Sequence, residues 1–133
     1  MRHFGCCASA ATALIDVAVH DIATITVTGQ TISAGGTVTF YVCDKALNPT
    51  CTSGTRTALG TVTILAGNIT NGGLKATVIS PDYIAPATGS YIFHAVYTPY
   101  GSGSTYEDNG SGESFIVTDS TQGHLMDNQD GSS

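Results

Sequence analysis

Period two dominates the apolar pattern of the chain, run after run, and no window repeats its apolar residues at the spacing of a helix. That period fits only strands with one buried face. Ala13, Ile15, Val17 and Val19 alternate against Leu14, Asp16 and Ala18; beyond His20 and Asp21, Ala23, Ile25 and Val27 alternate against Thr24, Thr26 and Thr28. Gly35 and Gly36 then open TVTFYVC, with Val38, Phe40 and Val42 on one face and Thr39, Tyr41 and Cys43 on the other. LGTVTIL (Leu59–Leu65), Leu74–Ser80, YIFHAVYT (Tyr91–Thr98) and SFIVT (Ser114–Thr118) complete a set of about seven strands, the pattern of an all-β, two-sheet antiparallel sandwich. Asn71, Gly72 and Gly73 suit a turn at positive φ, and Pro81 and Pro86 bracket a crossover because neither can donate to a ladder.

The 133 residues suffice for one domain with its own core. Charged residues make up only 11% of the chain against 41% hydrophobic, so hydroxyls and backbone must supply the polar surface. Four Lys and Arg against ten Asp and Glu leave a phosphate backbone almost nothing to pair with, so no nucleic-acid partner is expected. No apolar run approaches the roughly 18 residues of a spanning helix, and membrane insertion is not expected either. The N-terminal MRHFGCCASAATALI has an apolar stretch too short for a secretion signal and reads as part of the folded object.

The run GTVTFYVC, the second cysteine of FYVCDKALNPTC, the stretch APATGSYIFHAVYTP and the closing ESFIVT together resemble the immunoglobulin-like repeat modules of bacterial cell-surface proteins. The resemblance covers roughly Asp16–Thr118 and implies an immunoglobulin-like sandwich. In that family an apolar strand ends in a cysteine that pairs with a second one shortly after, which implies a Cys43–Cys51 disulfide; the alternative is a pair of free thiols. Gly89, Ser90 and Tyr91 match the start of the late strand. The positions that many members join by a second disulfide are here Ile92 and Ser114. A Cys43–Cys51 bridge would add about 2–3 kcal/mol by the chain-entropy argument and would imply an oxidising compartment.

Catalytic constellations are missing from the pattern. GSGES near Gly110 lacks the last glycine of a nucleophile elbow, the four histidines have no carboxylate partner by sequence, and Glu107 and Asp108 are adjacent rather than facing across a cleft. No catalytic residue and no metal centre is expected. Adjacent Cys6 and Cys7 make a poor tetrahedral corner and suit burial or pairing with another subunit. No cofactor is implied; the one ion left open is calcium, on Glu107 and Asp108 or the DNQDG stretch at Asp127–Gly131. Asn68 and Asn109 begin glycosylation sequons.

Assembly is suggested by the late strand. If Tyr91, Phe93, Ala95 and Tyr97 face the core, Ile92, His94 and Val96 form an outer face that is also apolar, where the related modules carry charge. Either a neighbouring subunit covers it, or the chain's own N-terminal segment or a loop does. The sequence thus divides into an N-terminal arm (1–15), a sandwich (16–118) and a polar tail (119–133). The arm, with contacts reaching Val19 through Ala13, Ile15 and Val17, could add as a strand to the sheet edge of another copy. The expected function is a non-enzymatic, extracellular, self-assembling subunit of a surface filament, fibre or sheath, with copies of itself as partners. The alternatives are a virus decoration domain, or a module that binds surface glycans through the loop carrying Tyr97, Tyr100, Tyr106, Glu107 and Asp108.

Overall fold

The computed structural model of the chain describes residues 12–51, 54–101, 103–107 and 114–119, together with the backbone path of 2–8. Among the described residues ten strands follow one another as β1 (Arg2–Ala8), β2 (Thr12–Leu14), β3 (Asp21–Val27), β4 (Thr37–Asp44), β5 (Thr57–Thr63), β6 (Ile69–Thr70), β7 (Lys75–Ile79), β8 (Gly89–Thr98), β9 (Tyr106–Glu107) and β10 (Ser114–Thr118). One sheet has the order β1-β3-β7-β6 and the other β2-β10-β8-β4-β5, with β9 also on β8. In immunoglobulin lettering the first sheet is A-B-E-D, and β10, β8, β4 and β5 take positions G, F, C and C′. The protein is an all-β, immunoglobulin-like two-sheet sandwich.

Strands β4 and β8 form the spine of the second sheet, paired without interruption from Thr37 opposite Thr98 to Asp44 opposite Tyr91. Because β4 occupies that whole edge of β8, β9 and β10 share the other edge and act as one interrupted strand. All pairings are antiparallel except that of β2, which runs parallel to β10 with Thr12 opposite Ile116. The chain reaches that position by leaving the first sheet after β1, whose seven residues pair with β3 from Arg2 opposite Val27 to Ala8 opposite Asp21. The segment read as an arm is therefore built into both sheets.

The inward faces are those the alternation requires. Ala23, Ile25 and Val27 of β3 meet Val38 and Phe40 of β4, Ala76 and Val78 of β7, and Ala95 and Tyr97 of β8 in one part of the core. Ala13, Val42, Tyr91, Phe93, Phe115 and Val117 form the other part. There Phe115 stacks on Phe93 at 4.8 Å and on Tyr91 at 5.6 Å between ring centres. Phe40, Phe93 and Phe115 are fully buried, each worth about 1.5–3 kcal/mol of transfer free energy.

The alternation fails at Ala13–Val19, which is not one strand. Asp16 takes a left-handed φ of 71° and Val17 N–H turns back to the Leu14 carbonyl, so β2 ends at Leu14 and only Val19 returns, through a bridge to Tyr83. Asp tolerates that conformation better than most residues, which is why the turn falls there. Strand β5 also starts two residues earlier than the apolar run suggested, because the β4–β5 register shifts at Phe40/Tyr41, beside Gly60. The Asn71–Gly73 turn has all three residues at positive φ, as its composition requires.

Candidate functional site

Four features bear on function: the outer face of the late strand, the tyrosine-rich loop, the N-terminal strands, and a cleft at the end of the sandwich where β4 leaves and β8 begins.

On the outer face, register places Tyr41 opposite His94 and Cys43 opposite Ile92. Cys43 and Cys51 form a disulfide with Cα atoms 5.7 Å apart, which folds the following loop back over this face. Cys51 is completely buried, and Ile92, 6% exposed, packs against both cysteines and Tyr41. The loop is further held by Asn48, whose Nδ2 donates to the Thr55 carbonyl at 2.9 Å while its Oδ1 accepts from Cys51 N–H at 3.1 Å. The Arg56 guanidinium lies 3.7 Å above the Tyr41 ring centre and donates through Nη1 to the Cys51 carbonyl. Lys45 Nζ donates to Ser114 Oγ at 3.1 Å. Ser114 stands opposite Ile92 in the β8–β10 register, so the two positions that the resemblance pairs are neighbours in space.

His94 is 1% exposed, and its Nε2 lies 2.6 Å from Glu107 Oε1 of β9. The proposed docking face is thus corrected: Ile92 and His94 are covered by the chain's own cysteine loop and by β9, and only Val96 of the three keeps partial exposure. The reason is length. A disulfide eight residues long returns far enough to roof the apolar positions that sequence alone left open.

The tyrosine-rich loop does not act as one platform. Tyr97 is core, and Tyr106 packs beside it with ring centres 6.2 Å apart. Glu107 is engaged by His94. Tyr100 is 69% exposed and sits over Gly35, where a side-chain carbon would come within 2.7 Å of the ring. Asp108 and Asn109 lie outside the described residues, as do Met1, the DNQDG stretch and the tail from 120 onward. Asn68 is partly buried and uses its Oδ1 to accept from Leu65 N–H at 2.8 Å. No group of three His, Cys, Asp or Glu side chains able to hold a metal occurs among the described residues.

Among the assembly residues of the arm, Ala13 is core, Ile15 packs against the core and Val17 is exposed. Leu14 and Ile116, half exposed, lie on adjacent strands β2 and β10. Among the described residues no helix is long and apolar enough to cross a membrane.

The cleft was not anticipated. It has a volume of about 760 Å³ and lies between the cysteine loop and the crossover at Tyr83–Ala87, with Val42, the Cys43 side and Tyr91 at its base. Tyr91 Oη donates to the Ala87 carbonyl at 2.7 Å, fixing that wall. Tyr83 is held by paired backbone bonds to Val19, and its ring meets Tyr91 edge-on at 6.1 Å. Partial burial pushes the Tyr83 phenol pKa up from its ordinary value, with Tyr91 and the Asp44 carboxylate adding to the shift. The only sequence signal was an aromatic residue placed between two prolines, in PDYIAP.

No family model matches the chain, and no curated protein matches it. Among solved structures it is similar to a β-glucosidase from Listeria innocua in complex with glucose, at 13% identity and a TM-score of 0.43, over 89% of this chain but 16% of that one. The same enzyme without ligand and in complex with isofagomine gives 14% identity with the same TM-score and coverage. The chain spans only that small share of the enzyme's length, and the likeness is too low to assign a shared activity.

Proposed function

We propose that the protein is a non-enzymatic, extracellular structural subunit that joins copies of itself into a surface filament, fibre or sheath by exchanging its N-terminal strand. The observation that carries this reading is β1: an edge strand of the first sheet, paired over seven residues with β3 and followed in the chain by β2, which lies in the other sheet. An edge strand held by main-chain bonds can make the same bonds to the β3 of a neighbour, at little net cost in contacts. If each subunit gives its strand forward and receives one from behind, the contact does not close and a fibre results. The uncharged edge strand β5, TALGTVT, and the exposed Leu14, Val17 and Ile116 add surface suited to close packing between subunits. The Cys43–Cys51 disulfide supports an oxidising, extracellular setting, and the net charge of −6 argues against nucleic acid as a partner. On this reading the chain is related to the bacterial surface modules that its sequence resembles.

Removing residues 1–11 tests it. The truncated chain is expected to remain folded, by circular dichroism and retention of the disulfide, yet run as a monomer and form no fibres in electron micrographs. Fibres from the truncated chain refute strand exchange. A second reading, an adhesion module that binds surface glycans, is favoured by the exposed Tyr100. Binding on a glycan array that is lost with Tyr100→Ala, at unchanged oligomeric state, separates it from the first.

A further inference from the structure

We infer that the cleft between the cysteine loop and the Tyr83–Ala87 crossover is a binding site for a neutral saccharide. Three physical properties of the cleft point there.

The first is rigidity. One wall is tied down by the disulfide and by both ends of the Asn48 amide, and the other by the Tyr91 hydroxyl and the Tyr83–Val19 bridge. A site whose walls are already fixed loses little conformational freedom when a ligand arrives. Its volume of about 760 Å³ lies within the range of sites for small organic ligands.

The second is the combination of side chains. Tyr83 is half buried and offers an apolar ring with a hydroxyl at its tip, the kind of surface on which the C–H face of a sugar ring stacks. Asp44, exposed beside it, is aimed by the Ala46 N–H that donates to its Oδ1 at 2.9 Å, which leaves Oδ2 for the hydroxyls of a ligand. Leu47, 84% exposed on the rim, extends the apolar surface outward.

The third is charge. The carboxylate of Asp44 and the net charge of −6 disfavour an anionic ligand, while Arg56, the one cation among the described lining residues, lies over the Tyr41 ring and directs Nη1 to the Cys51 carbonyl. A purely apolar ligand would strip water from Asp44 without replacing its hydrogen bonds. A neutral polyhydroxylated ring satisfies both conditions.

The site is separate from Tyr100. Tyr91 enters β8 and Thr98 ends it, so the two tyrosine surfaces lie about 25 Å apart along that strand. It is also separate from strand exchange, which is read by oligomeric state, so either proposal can fail alone.

The test titrates the full chain with cellotriose, mannotriose and triacetylchitotriose, each to about 10 mM, following amide shifts by NMR and heats by calorimetry. Saturable binding of at least one probe is expected, with shifts clustered at Asp44, Leu47 and Tyr83. Asp44→Ala and Leu47→Arg each weaken it about tenfold, which corresponds to about 1.4 kcal/mol, while Leu65→Ala, at an exposed position outside the cleft, leaves it unchanged. Both altered positions are exposed, so folding is not at stake, and the disulfide checked by mass spectrometry confirms it. No saturable binding with any probe, binding untouched by both cleft variants, or equal loss with Leu65→Ala overturns the inference.

Discussion

His94 Nε2 and Glu107 Oε1 stand 2.6 Å apart across the β8–β9 pair, one side chain 2% exposed and the other about half exposed. An ionised carboxylate has no proton to give, so the imidazole donates through Nε2 and the bond is charge-assisted. Beside the Tyr97–Tyr106 ring contact, it ties a two-residue strand to the sheet. Glu107→Ala leaves a buried donor without this acceptor and is expected to destabilise the fold by about 1–3 kcal/mol in urea denaturation. Glu107→Gln, which keeps an acceptor in place, should recover most of that loss. Equal stability of the alanine variant and the native chain would show that β9 is held by other contacts.

Ile92 gives a test of what covers the outer face. Packed under the cysteine loop, its truncation to alanine leaves a cavity and is expected to cost about 2 kcal/mol or more in the isolated subunit. Val96→Ala, on the same face but partly exposed, should cost clearly less. An exposed docking residue would behave otherwise: Ile92→Ala would then stay within about 0.5 kcal/mol in the monomer and change only assembly.

Most of the sandwich was legible because burial on one face writes period two into the sequence. Val38, Phe40 and Val42, and the four inward residues from Tyr91 to Tyr97, were assigned correctly by that rule alone. Periodicity says nothing about which loop folds over an apolar outer face, so Ile92 and His94 looked available when Ile92 is covered by the Cys43–Cys51 pair and His94 by Glu107 of β9. It also misleads where a residue turns the chain between two apolar positions, as Asp16 does with its left-handed φ. Two-residue strands such as β6 and β9 carry too few positions to show any period. The cleft escaped notice because its walls, Asp44 with Leu47 and Tyr83 with Ala87, lie some forty residues apart in the chain and are brought together by the pairing of β4 with β8, Asp44 opposite Tyr91.

The disulfide should stabilise in two separable ways. Cys43→Ser with Cys51→Ser releases a loop of sequence separation 8, expected to cost about 2–3 kcal/mol through the entropy of the unfolded chain. It also frees the segment that shelters Tyr41 and Ile92, so proteolysis should begin between Asp44 and Arg56 while the sheets remain protected. The comparison is made by urea midpoints of the native chain with and without reductant, alongside the double variant. If reduction leaves both midpoint and cleavage pattern unchanged, the hydrogen bonds of Asn48 and Arg56 hold the loop by themselves.

Tyr83 links the cleft to alkaline stability. Its phenol pKa is raised in the folded protein, mainly by burial and further by Tyr91 and the Asp44 carboxylate, so the folded state holds this proton more tightly than the unfolded chain does. A group of this kind favours the folded state fully below the unfolded tyrosine pKa of about 10, and that contribution is lost as pH rises through the higher folded value. The protein should therefore lose stability above about pH 10 more steeply than Tyr83→Phe, which has no proton to lose there. Phenolate absorbance near 295 nm reports the same event: one late-titrating tyrosine should vanish in Tyr83→Phe and move toward lower pH in Asp44→Asn, where one source of repulsion is gone. If Asp44→Asn leaves the titration where it was, burial and Tyr91 set the phenol, and the carboxylate does not face the ring across the cleft.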